Sequence, residues 1–526
     1  MTIPQLLDTF AGYGPRPLFV TSDDRLTYAE AEARSAELAR RFLGVGIGKN
    51  TRVAIVLGNG ADWVVSFFAL ARIGAHSILL NPFAKPPELA YALRHSDAAA
   101  VITGVETGGA DAADLLERAV PGLAGHDGAT PLFAASHPYL RRLWWFGAGR
   151  PEWASEAAAV EPVPSAVLQA VAVEVSAADP LLTSYTSGTT AEPKAVVHSQ
   201  AAILRQADKL ATRRKFTDDS VVYTPMPLFW VGGICFALLS AATRGMPTVT
   251  DARFDAGRAL DLMEQEHVTH VYCWPQAAEG MVTHPSWPTR DFSGLRGGPA
   301  LLRGPAFAGV AVDQREQSLG MTETCGPHTF SYDADAILPE PMRGSFGSPV
   351  DNMEHRVVDR DTLEPLPDGE IGELLVRGEC LMLGFHKRER QDTFTADGWY
   401  RTGDLCSWHH DRLFFHGRGG DMIKTAGFNV APAEVERAVY AIPDVMNVVV
   451  MGLPDPVREQ VIGALVALRP GSDATSESLT ALCKEQLSSY KVPTVWRLVD
   501  DTTYPMGATG KVDRNRARDL IEEARA

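Results

Sequence analysis

The stretch SYTSGTTAEPKAVVHS, residues 184–199, gives the first indication of both fold and chemistry. Hydroxyl side chains surround one glycine and a lysine follows: Thr186, Ser187, Gly188, Thr189, Thr190 and Lys194. Backbone N–H groups and hydroxyls around a glycine can hold phosphate oxygens, and an ammonium group can neutralise them. The stretch differs from the common phosphate loop, GxxxxGK[ST], because no second glycine precedes Lys194. Two strand-forming pieces flank the turn, so we predict a hairpin; a solvated Ser/Thr-rich loop is the alternative.

Length and charge bound the class of protein. A chain of 526 residues exceeds one ordinary core, so two or more domains are expected. The hydrophobic fraction of 45% and the charged fraction of 22% are typical of a soluble globular protein. The net charge is -16, which disfavours general binding of nucleic acid or anionic membranes. An anionic ligand must therefore be held by local groups.

Cysteine usage and the apolar segments indicate a cytoplasmic setting. The six cysteines are scattered and none forms a CxxC pair, so a disulfide framework is not expected. The start, MTIPQLLDTF, lacks a basic region and carries Asp8, unlike a signal peptide. The longest apolar run, residues 229–242, is too short and too glycine-rich to span a bilayer. We predict a buried helix there.

The first part of the chain alternates helix and strand patterns. Thr27 and Glu30 have capping-box spacing before a helical pattern that ends at Gly44. Strand patterns at 52–57, 76–80 and 98–103 alternate with helical patterns at 61–74 and 86–95. This rhythm predicts a parallel sheet in an α/β layer. Residues 104–180 give weak signals and are interpreted as surface helices and a loop.

Beyond residue 400 the pattern changes to a small α+β unit. Helical patterns at 432–442 and 476–487 alternate with strand patterns at 445–452, 461–468 and 496–500. The glycines of HGRGGD, residues 416–421, favour a boundary there. We therefore divide the chain into an N-terminal domain (1–417), a hinge (418–420) and a C-terminal domain (421–526).

Six segments, in order along the chain, resemble the motifs of the adenylate-forming superfamily, which includes acyl-CoA synthetases, peptide-synthetase adenylation domains and luciferases. They are YTSGTTAEPKAVVHS (185–199), PLFWVGG (227–233), LGMTET (319–324), GWYRTGD (398–404), GRGGDMIKTAGFNVAPAEVE (417–436) and ATGKVDR (508–514). The resemblance extends from about Thr27 to the last helix. It implies an α/β fold with a large multi-sheet N-terminal domain and a small α+β C-terminal domain that rotates about a hinge. It also implies attack of a carboxylate on the α-phosphate of ATP, which releases pyrophosphate.

The resemblance assigns nucleotide-binding roles. The six residues of the opening stretch would hold the β- and γ-phosphates, Thr322 would contact the α-phosphate, and Glu323 would bind Mg²⁺. Asp404 would accept hydrogen bonds from both ribose hydroxyls, with Arg418 assisting. The adenine and its surroundings would be contacted by Gly297, Gly298, Pro299, Ser318, Leu319, Gly320 and Met321.

Further residues are implied for the acyl group and the second half-reaction. Lys511 would bridge the attacking carboxylate and the nucleotide, and a compact ammonium on a flexible stem suits that role. Lys424 would lie near the acyl group in the second step, Gly427 would border the acceptor tunnel, and Gly420 would be the hinge. The acyl pocket would be lined by Trp230, Val231, Gly232 and Trp274.

The sequence departs from the usual family pattern at several positions. Ala191 and Ala195 replace glycines of the phosphate loop, and Leu319 replaces the aromatic residue that stacks on adenine. Trp230 occupies the position of a pocket histidine, where its bulk suggests a gate. Gly420 stands where an Asp or Lys is usual, so rotation is permitted but no charge locks either state.

These observations favour a cytoplasmic acyl-CoA ligase that acts on a hydrophobic carboxylic acid and uses ATP, Mg²⁺ and CoA. Three alternatives remain open: an amide ligase that passes the acyl-adenylate to an amino acid or amine, an enzyme that loads a carrier protein, and a non-catalytic nucleotide-binding relative. No nucleic-acid partner and no membrane span are expected. The chain is expected to be a monomer or a homodimer.

Overall fold

The computed structural model describes most of the chain. The described residues are 1–156, 159–186, 193–303, 314–331, 336–419, 423–425, 428–430, 432–455, 458–487, 491–507 and 512–525. Four of the predicted phosphate-loop residues and three predicted residues of the C-terminal region lie outside them: Ser187, Gly188, Thr189, Thr190, Gly420, Gly427 and Lys511. Of Lys424, the backbone is described and the side chain is not.

Eight strands of the described chain form the largest sheet. In spatial order they are Gly384–Phe385, Lys194–Ser199, Pro180–Thr186, His76–Leu79, Arg52–Ile55, Ala100–Gly104, Arg142–Phe146 and Ser155–Glu156. Neighbours pair in parallel from Pro180–Thr186 onward, and the first two pairings are antiparallel. The predicted parallel α/β layer is therefore confirmed.

Helices cover both faces of this sheet, because successive residues of a buried strand point to opposite sides. Val53 and Ile55 belong to one apolar core and Ala54 and Val56 to another. The helices of this region are Tyr28–Gly44, Ala61–Arg72, Pro86–His95, Ala112–Ala119 and Ser165–Val173. The first begins with the predicted capping box, in which Glu30 N–H donates to Thr27 Oγ1 over 3.2 Å.

The interpretation of residues 104–180 as surface helices and a loop was wrong in part. Arg142–Phe146 is an interior strand that pairs in parallel with Ala100–Gly104. Its Trp144 is fully buried and packs against Phe42, with the ring centroids 5.7 Å apart. The predicted strand at 52–57 is also shorter, ending at Ile55.

A second sheet contains five strands of the described ranges: His270–Val271, Val222–Tyr223, Thr248–Val249, Pro17–Val20 and Arg25–Thr27. The remaining helices of the N-terminal part are Ile3–Tyr13, Gln200–Arg213, Gly232–Leu239, Ser240–Ala242, Ala256–Gln265 and Pro275–Val282. The first three share an apolar core with the strands Arg52–Ile55 and Pro180–Thr186 of the largest sheet. The prediction of a buried helix within 229–242 is confirmed, and Gly232–Leu239 is a π-helix. A π-helix is rare, and such segments are frequent at functional sites.

A third sheet joins Met353–Val358, Gly372–Gly378, Tyr400–His409 and Arg412–Arg418 in antiparallel order. Two short strand pairs accompany it: Gly320–Met321 with Gly326–Pro327, and Thr329–Phe330 with Ser348–Pro349. A third short pair, Glu106–Thr107 with Ala110–Asp111, follows the strand Ala100–Gly104 of the largest sheet. The described connections also contain single helical turns: Leu123–Gly125, Trp287–Thr289, Ala300–Arg303, Thr322–Thr324, Glu340–Met342 and Arg390–Asp392.

The C-terminal residues form a separate α+β unit, as predicted. Its strands are Ile423–Thr425, Phe428–Val430, Val445–Asp455, Glu459–Leu468 and Val495–Val499. Its helices are Pro432–Tyr440, Ser476–Gln486 and Arg514–Glu523. Two apolar cores are built from residues beyond 420, one on each face of the sheet. Over the described part of the chain, no helix combines the length and apolar character needed to cross a membrane.

Candidate active site

The hydroxyl-rich stretch forms the predicted hairpin. Pro180–Thr186 and Lys194–Ser199 pair antiparallel, and Thr186 lies opposite Lys194 where the strands meet the turn. Lys194 Nζ lies 5.3 Å from the ring centroid of Phe385, on the neighbouring edge strand. Lys194 is half-buried at the end of the hairpin that leads into residues 187–192.

The segment LGMTET ends in a tight turn that presents Thr322 and Glu323. The turn spans Thr322–Thr324, and Cys325 follows with a left-handed φ of 59°. Tyr400 donates its hydroxyl proton to Glu323 Oε1 over 3.2 Å, and Met382 N–H donates to the Glu323 carbonyl over 2.8 Å. The half-buried carboxylate has the oxygen chemistry that suits Mg²⁺.

Asp404 and Arg418 meet on adjacent strands of the third sheet. They are directly paired in register, and Arg418 Nε lies 3.0 Å from Asp404 Oδ1. Within the described residues, no group donates a well-directed hydrogen bond to that oxygen, so the contact is an ion pair only. A buried carboxylate oxygen that lacks a well-directed donor fits the predicted role of accepting hydrogen bonds from ribose hydroxyls.

The electrostatics join these groups into one site. Burial raises the pKa of Asp404 to about 6, the Arg418 charge opposes the shift, and the nearby Glu323 carboxylate adds to it. Burial and the same Glu323 carboxylate raise the pKa of Tyr400. Glu323, Tyr400, Asp404 and Arg418 therefore interact, although their motifs are separated by up to 95 residues in the sequence.

The predicted adenine segment adds to the edge of the second sheet. Gly297 forms a bridge with His270, and its carbonyl accepts from Val271 N–H over 3.0 Å. A Cβ atom at Gly297 would lie 2.4 Å from His270 Cδ2, so a side chain does not fit. Gly298 has a φ of 128°, which favours glycine. The half-buried Pro299 follows directly.

The second adenine segment, 318–321, lies beside the third sheet. Ser318 and Gly320 are exposed, and Gly320 and Met321 pair with Pro327 and Gly326. Leu319 packs against an apolar cluster made of Val357, Leu374, Cys406 and Leu413.

The predicted pocket residues have distinct surroundings. Trp230 is half-buried and packs edge-to-face on Phe229, with the centroids 5.5 Å apart. Val231 is buried, and a Cβ atom on Gly232 would lie 2.8 Å from Met226 Sδ. Trp274 precedes the helix Pro275–Val282 and packs on Phe254 at 6.1 Å. The contacts thus place Trp230 and Trp274 against different aromatic neighbours.

Two residues that contact the site were missed from the sequence. Tyr400 binds Glu323 as described, and its position inside GWYRTGD was the available signal. His198 Nε2 lies 2.7 Å from the Thr322 carbonyl oxygen, and its signal was its alternate-residue spacing from Lys194 on one strand.

Family models match both parts of the chain. A model described as AMP-binding enzyme matches residues 7–386, and one described as AMP-binding enzyme C-terminal domain matches residues 434–511. The chain belongs to the AMP-binding enzyme family. The predicted membership of the adenylate-forming superfamily and the predicted fold class are therefore confirmed.

Other members of the family are similar over almost the whole chain. The putative acyl-CoA synthetase YngI of Bacillus subtilis (strain 168) is 28% identical, covering 99% of this chain and 97% of that protein. A feruloyl-CoA synthase of Amycolatopsis sp is 30% identical, covering 94% and 93%. The structure of the amide bond synthetase McbA from Marinactinospora thermotolerans superimposes with a TM-score of 0.80 at 25% identity, covering 98% and 99%. The relatives thus include both CoA ligases and an amide synthetase.

Proposed function

We propose that this protein is an acyl-CoA ligase for a hydrophobic carboxylic acid. In the first half-reaction, a carboxylate oxygen of the acid bonds to the α-phosphorus of ATP, and the bond from that phosphorus to pyrophosphate breaks. In the second, the sulfur of CoA bonds to the acyl carbon, the thiol proton is lost, and AMP leaves. Charge develops on phosphoryl oxygens in the first step, so catalysis there is chiefly positioning and electrostatic stabilisation.

The observation that carries this proposal is the convergence of Glu323, Tyr400, Asp404 and Arg418 beside the Thr322 turn. In the proposed site, the buried Asp404 Oδ1, with Arg418 Nε 3.0 Å away, accepts from the ribose, and Thr322 contacts the α-phosphate. Thr186 and Lys194, with the intervening loop, hold the β- and γ-phosphates. Lys194 already stands at the end of the hairpin that leads into that loop.

Magnesium fits the same arrangement through Glu323. Its Oε1 accepts from Tyr400, and a carboxylate has further lone pairs for a hard cation. Bound Mg²⁺ would neutralise charge on the phosphate oxygens. The protein's own contribution is to hold the carboxylate through the Tyr400 hydroxyl and the backbone of the same residue through the Met382 amide.

The adenine and acyl sites are proposed from the remaining motifs. Residues 297–299 and 318–321 would border the adenine, and the largely buried π-helix Gly232–Leu239 would form an apolar wall for the acid. Trp230, Val231, Gly232 and Trp274 would line that pocket. A large half-buried ring at Trp230 favours a hydrophobic substrate.

The C-terminal unit is proposed to complete both half-reactions. Lys511 would act in adenylation, and Lys424 and Gly427 would serve acyl transfer after rotation about Gly420. The division into 1–417, 418–420 and 421–526 belongs to this proposal, and it is supported by the change from the third sheet, which ends at Arg418, to the C-terminal sheet. The cytoplasmic setting and the monomeric or dimeric state stay predictions.

An amide ligase is the second candidate, because McbA is similar over 98% of this chain. One experiment separates the candidates: pyrophosphate release is measured over a panel of aliphatic and aromatic acids, and product formation is then measured with CoA, amino acids and simple amines. A thioester product supports the proposal, and an amide product supports the second candidate. Absence of acid-dependent pyrophosphate release with every acid would contradict both and favour a nucleotide-binding relative.

A further inference from the structure

We propose that His198 is a positioning residue for adenylation, which fixes the turn carrying Thr322 and Glu323 relative to Lys194. This inference rests on the proposed function. His198 is fully buried on the strand Lys194–Ser199, four residues beyond Lys194. It reaches across 124 residues of sequence to the Thr322 carbonyl, with Nε2 2.7 Å from the oxygen.

The hydrogen bond to Thr322 determines which nitrogen of the His198 ring carries the proton. A carbonyl oxygen accepts and cannot donate, so Nε2 carries the proton and Nδ1 is an acceptor. Cys325 Sγ lies 3.1 Å from Nδ1 and also 3.1 Å from the Cys380 carbonyl oxygen. The ring therefore contacts the turn at both ends, through Thr322 and through Cys325. Burial lowers the pKa of His198 to about 4, in keeping with a neutral ring.

The turn Thr322–Thr324 needs contacts from outside, because its local hydrogen bonds alone stabilise it only weakly. A single 3₁₀ turn has poor hydrogen-bond geometry, and Cys325 adopts a left-handed φ of 59° that non-glycine residues rarely adopt. Such conformations persist where the surroundings determine them. The Met382 amide holds the Glu323 carbonyl, and His198 holds the preceding carbonyl.

The strand acts as a fixed spacer between the two parts of the phosphate site. Lys194 and His198 lie four residues apart, about 13 Å in an extended strand. The strand is itself fixed on both sides, by Pro180–Thr186 and by Gly384–Phe385. A turn bonded to His198 is thereby held at a constant distance from Lys194. Lys194 and Thr322 would then be correctly spaced for the two ends of the triphosphate before ATP binds.

The consequence should fall on the rate of the chemical step. Displacement of groups that contact the reacting phosphate by about 1 Å can cost about 10²-fold in rate. The ribose contact at Asp404 belongs to a different sheet, so binding of ATP in the ground state should change little. A loss of kcat with a nearly constant KM for ATP indicates an interaction realised in the transition state.

The test compares two amides that differ in reach. The amide nitrogen of His198→Gln can occupy the place of Nε2 and donate to Thr322, whereas that of His198→Asn is one carbon shorter. We expect acid-dependent pyrophosphate exchange by His198→Asn to fall about 10–100-fold in kcat, the range typical when a residue that orients a site residue is lost, with His198→Gln retaining most of the rate.

A matched control is His76→Asn. His76 is also buried in the eight-stranded sheet, and its Nε2 lies 2.8 Å from Thr183 Oγ1, away from the turn. His76→Asn should lose stability, but it should not show the selective loss of kcat that is expected of His198→Asn. Equal rates for His198→Gln and His198→Asn, or an equal fall in kcat for His76→Asn at matched folded fraction, would overturn the inference. If the unsubstituted protein shows no exchange with any acid, the proposed function itself fails.

Discussion

Asp404 and Arg418 form an ion pair between neighbouring strands, with Asp404 buried and the Arg418 side chain 51% exposed. Burial raises the pKa of Asp404 to about 6, so the ionised form is destabilised in the folded protein without nucleotide. Arg418 compensates for only part of this cost, since it reaches one carboxylate oxygen from a half-exposed position. The ionised Asp404 side chain therefore lowers the stability of the fold, which is common at functional sites.

The first prediction is that Asp404→Asn stabilises the fold and weakens ATP use. The folded pKa is above the unfolded value of 3.8, so the stabilisation from protonating Asp404 is full below that value and is lost as the pH rises through about 6. At pH 7 the ionised side chain costs on the order of 2–3 kcal/mol, which the neutral amide avoids. The KM for ATP should rise, because charge-assisted hydrogen bonds to the ribose contribute roughly 1.5–3 kcal/mol each.

The measurements are urea unfolding at pH 7 and the KM for ATP in pyrophosphate exchange. Asp404→Ala should also raise the KM for ATP. It should not stabilise the fold as Asp404→Asn does, because alanine does not fill the space of the aspartate side chain. Asp368→Asn, at an exposed position of the same sheet region, removes an equal charge and serves as the control. An unchanged KM in Asp404→Asn would exclude the ribose role.

The second prediction concerns Lys511. Lys511→Ala should abolish acid-dependent pyrophosphate exchange while leaving the melting temperature unchanged, because a cation that bridges the carboxylate and the α-phosphate acts in the reaction and not in the core. Lys484→Ala, at an exposed position of the helix Ser476–Gln486, removes a lysine from the same unit and should be active. Exchange at the normal rate in Lys511→Ala would refute its assignment.

The third prediction is that Trp230→Ala widens the acyl pocket and shifts preference toward bulkier acids. Trp230 packs on Phe229 and on the main apolar core, so its removal leaves space beside the π-helix. Loss of a fully buried tryptophan costs roughly 3–5 kcal/mol, which is an upper bound for the half-buried Trp230, so folding must be followed by the melting temperature. Trp287→Ala, at a half-buried ring that stacks on Phe292, is the control for tryptophan loss alone. The same acid profile in well-folded Trp230→Ala protein would mean that Trp230 only supports the core.

The fourth prediction is a loss of stability in acid that originates at His328 and His355. The two rings share one hydrogen bond, with His328 Nδ1 2.7 Å from His355 Nε2, and their outer nitrogens have no partner within the described residues. Burial lowers the pKa of His355 to about 3, and burial and His355 lower the pKa of His328. Their folded pKa values lie below the unfolded 6.5, so the unfolded state binds more protons and stability falls as the pH drops below 6.5.

Each such histidine should contribute a loss of about 2 kcal/mol between pH 7 and pH 5. The double variant His328→Leu/His355→Leu should therefore show a smaller difference in the free energy of unfolding between these two pH values, measured in urea. His267→Asn, an exposed position with a φ of 50° that asparagine tolerates, is the control. A pH dependence as steep as that of the unsubstituted protein would locate the acid sensitivity elsewhere.

The sequence predicted features that depend on local pattern and missed those that depend on register. The hairpin of residues 184–199 and the capping box at Thr27 follow from residue type and spacing, and both are present. The interior strand Arg142–Phe146 was missed, because short apolar strands between Ala-, Gly- and Pro-rich segments have no distinctive period. Only long-range packing reveals that its tryptophans are buried.

The same limit applies to the site. Asp404 and Arg418 were each assigned to the ribose, but their direct pairing depends on the register of two strands and a bulge between Leu405 and Cys406. The bond from His198 to Thr322 joins two motifs that no periodicity connects. Contacts of this kind are set by how sheets pack together, which one sequence does not specify locally.

The fifth prediction concerns the hinge at Gly420, which lies outside the described residues. Gly419, the residue before it, donates to the Gly403 carbonyl over 2.7 Å, and its own carbonyl accepts from Arg360 Nη1 over 3.1 Å. The chain is thus attached to the third sheet up to residue 419, and rotation of the following unit requires backbone freedom directly afterwards. Glycine has that freedom at least steric cost.

Gly420→Pro should therefore separate the two half-reactions. Proline fixes φ near −65°, removes the amide proton and restricts Gly419, so one orientation of the C-terminal unit should be trapped. If the trapped orientation is the adenylating one, single-turnover acyl-adenylate formation should be near normal and transfer to CoA or an amine should be lost. Gly420→Ala keeps the amide proton and most negative φ values. Its rate of acyl transfer should therefore lie between the rates of the unsubstituted protein and of Gly420→Pro. Equal loss of both steps would indicate damage to the ATP site beside Asp404 and Arg418, and unchanged transfer would place the hinge at another residue. Because closure and rotation of such units often limit turnover, a selective loss of transfer would also identify rotation as the step that Gly420 serves.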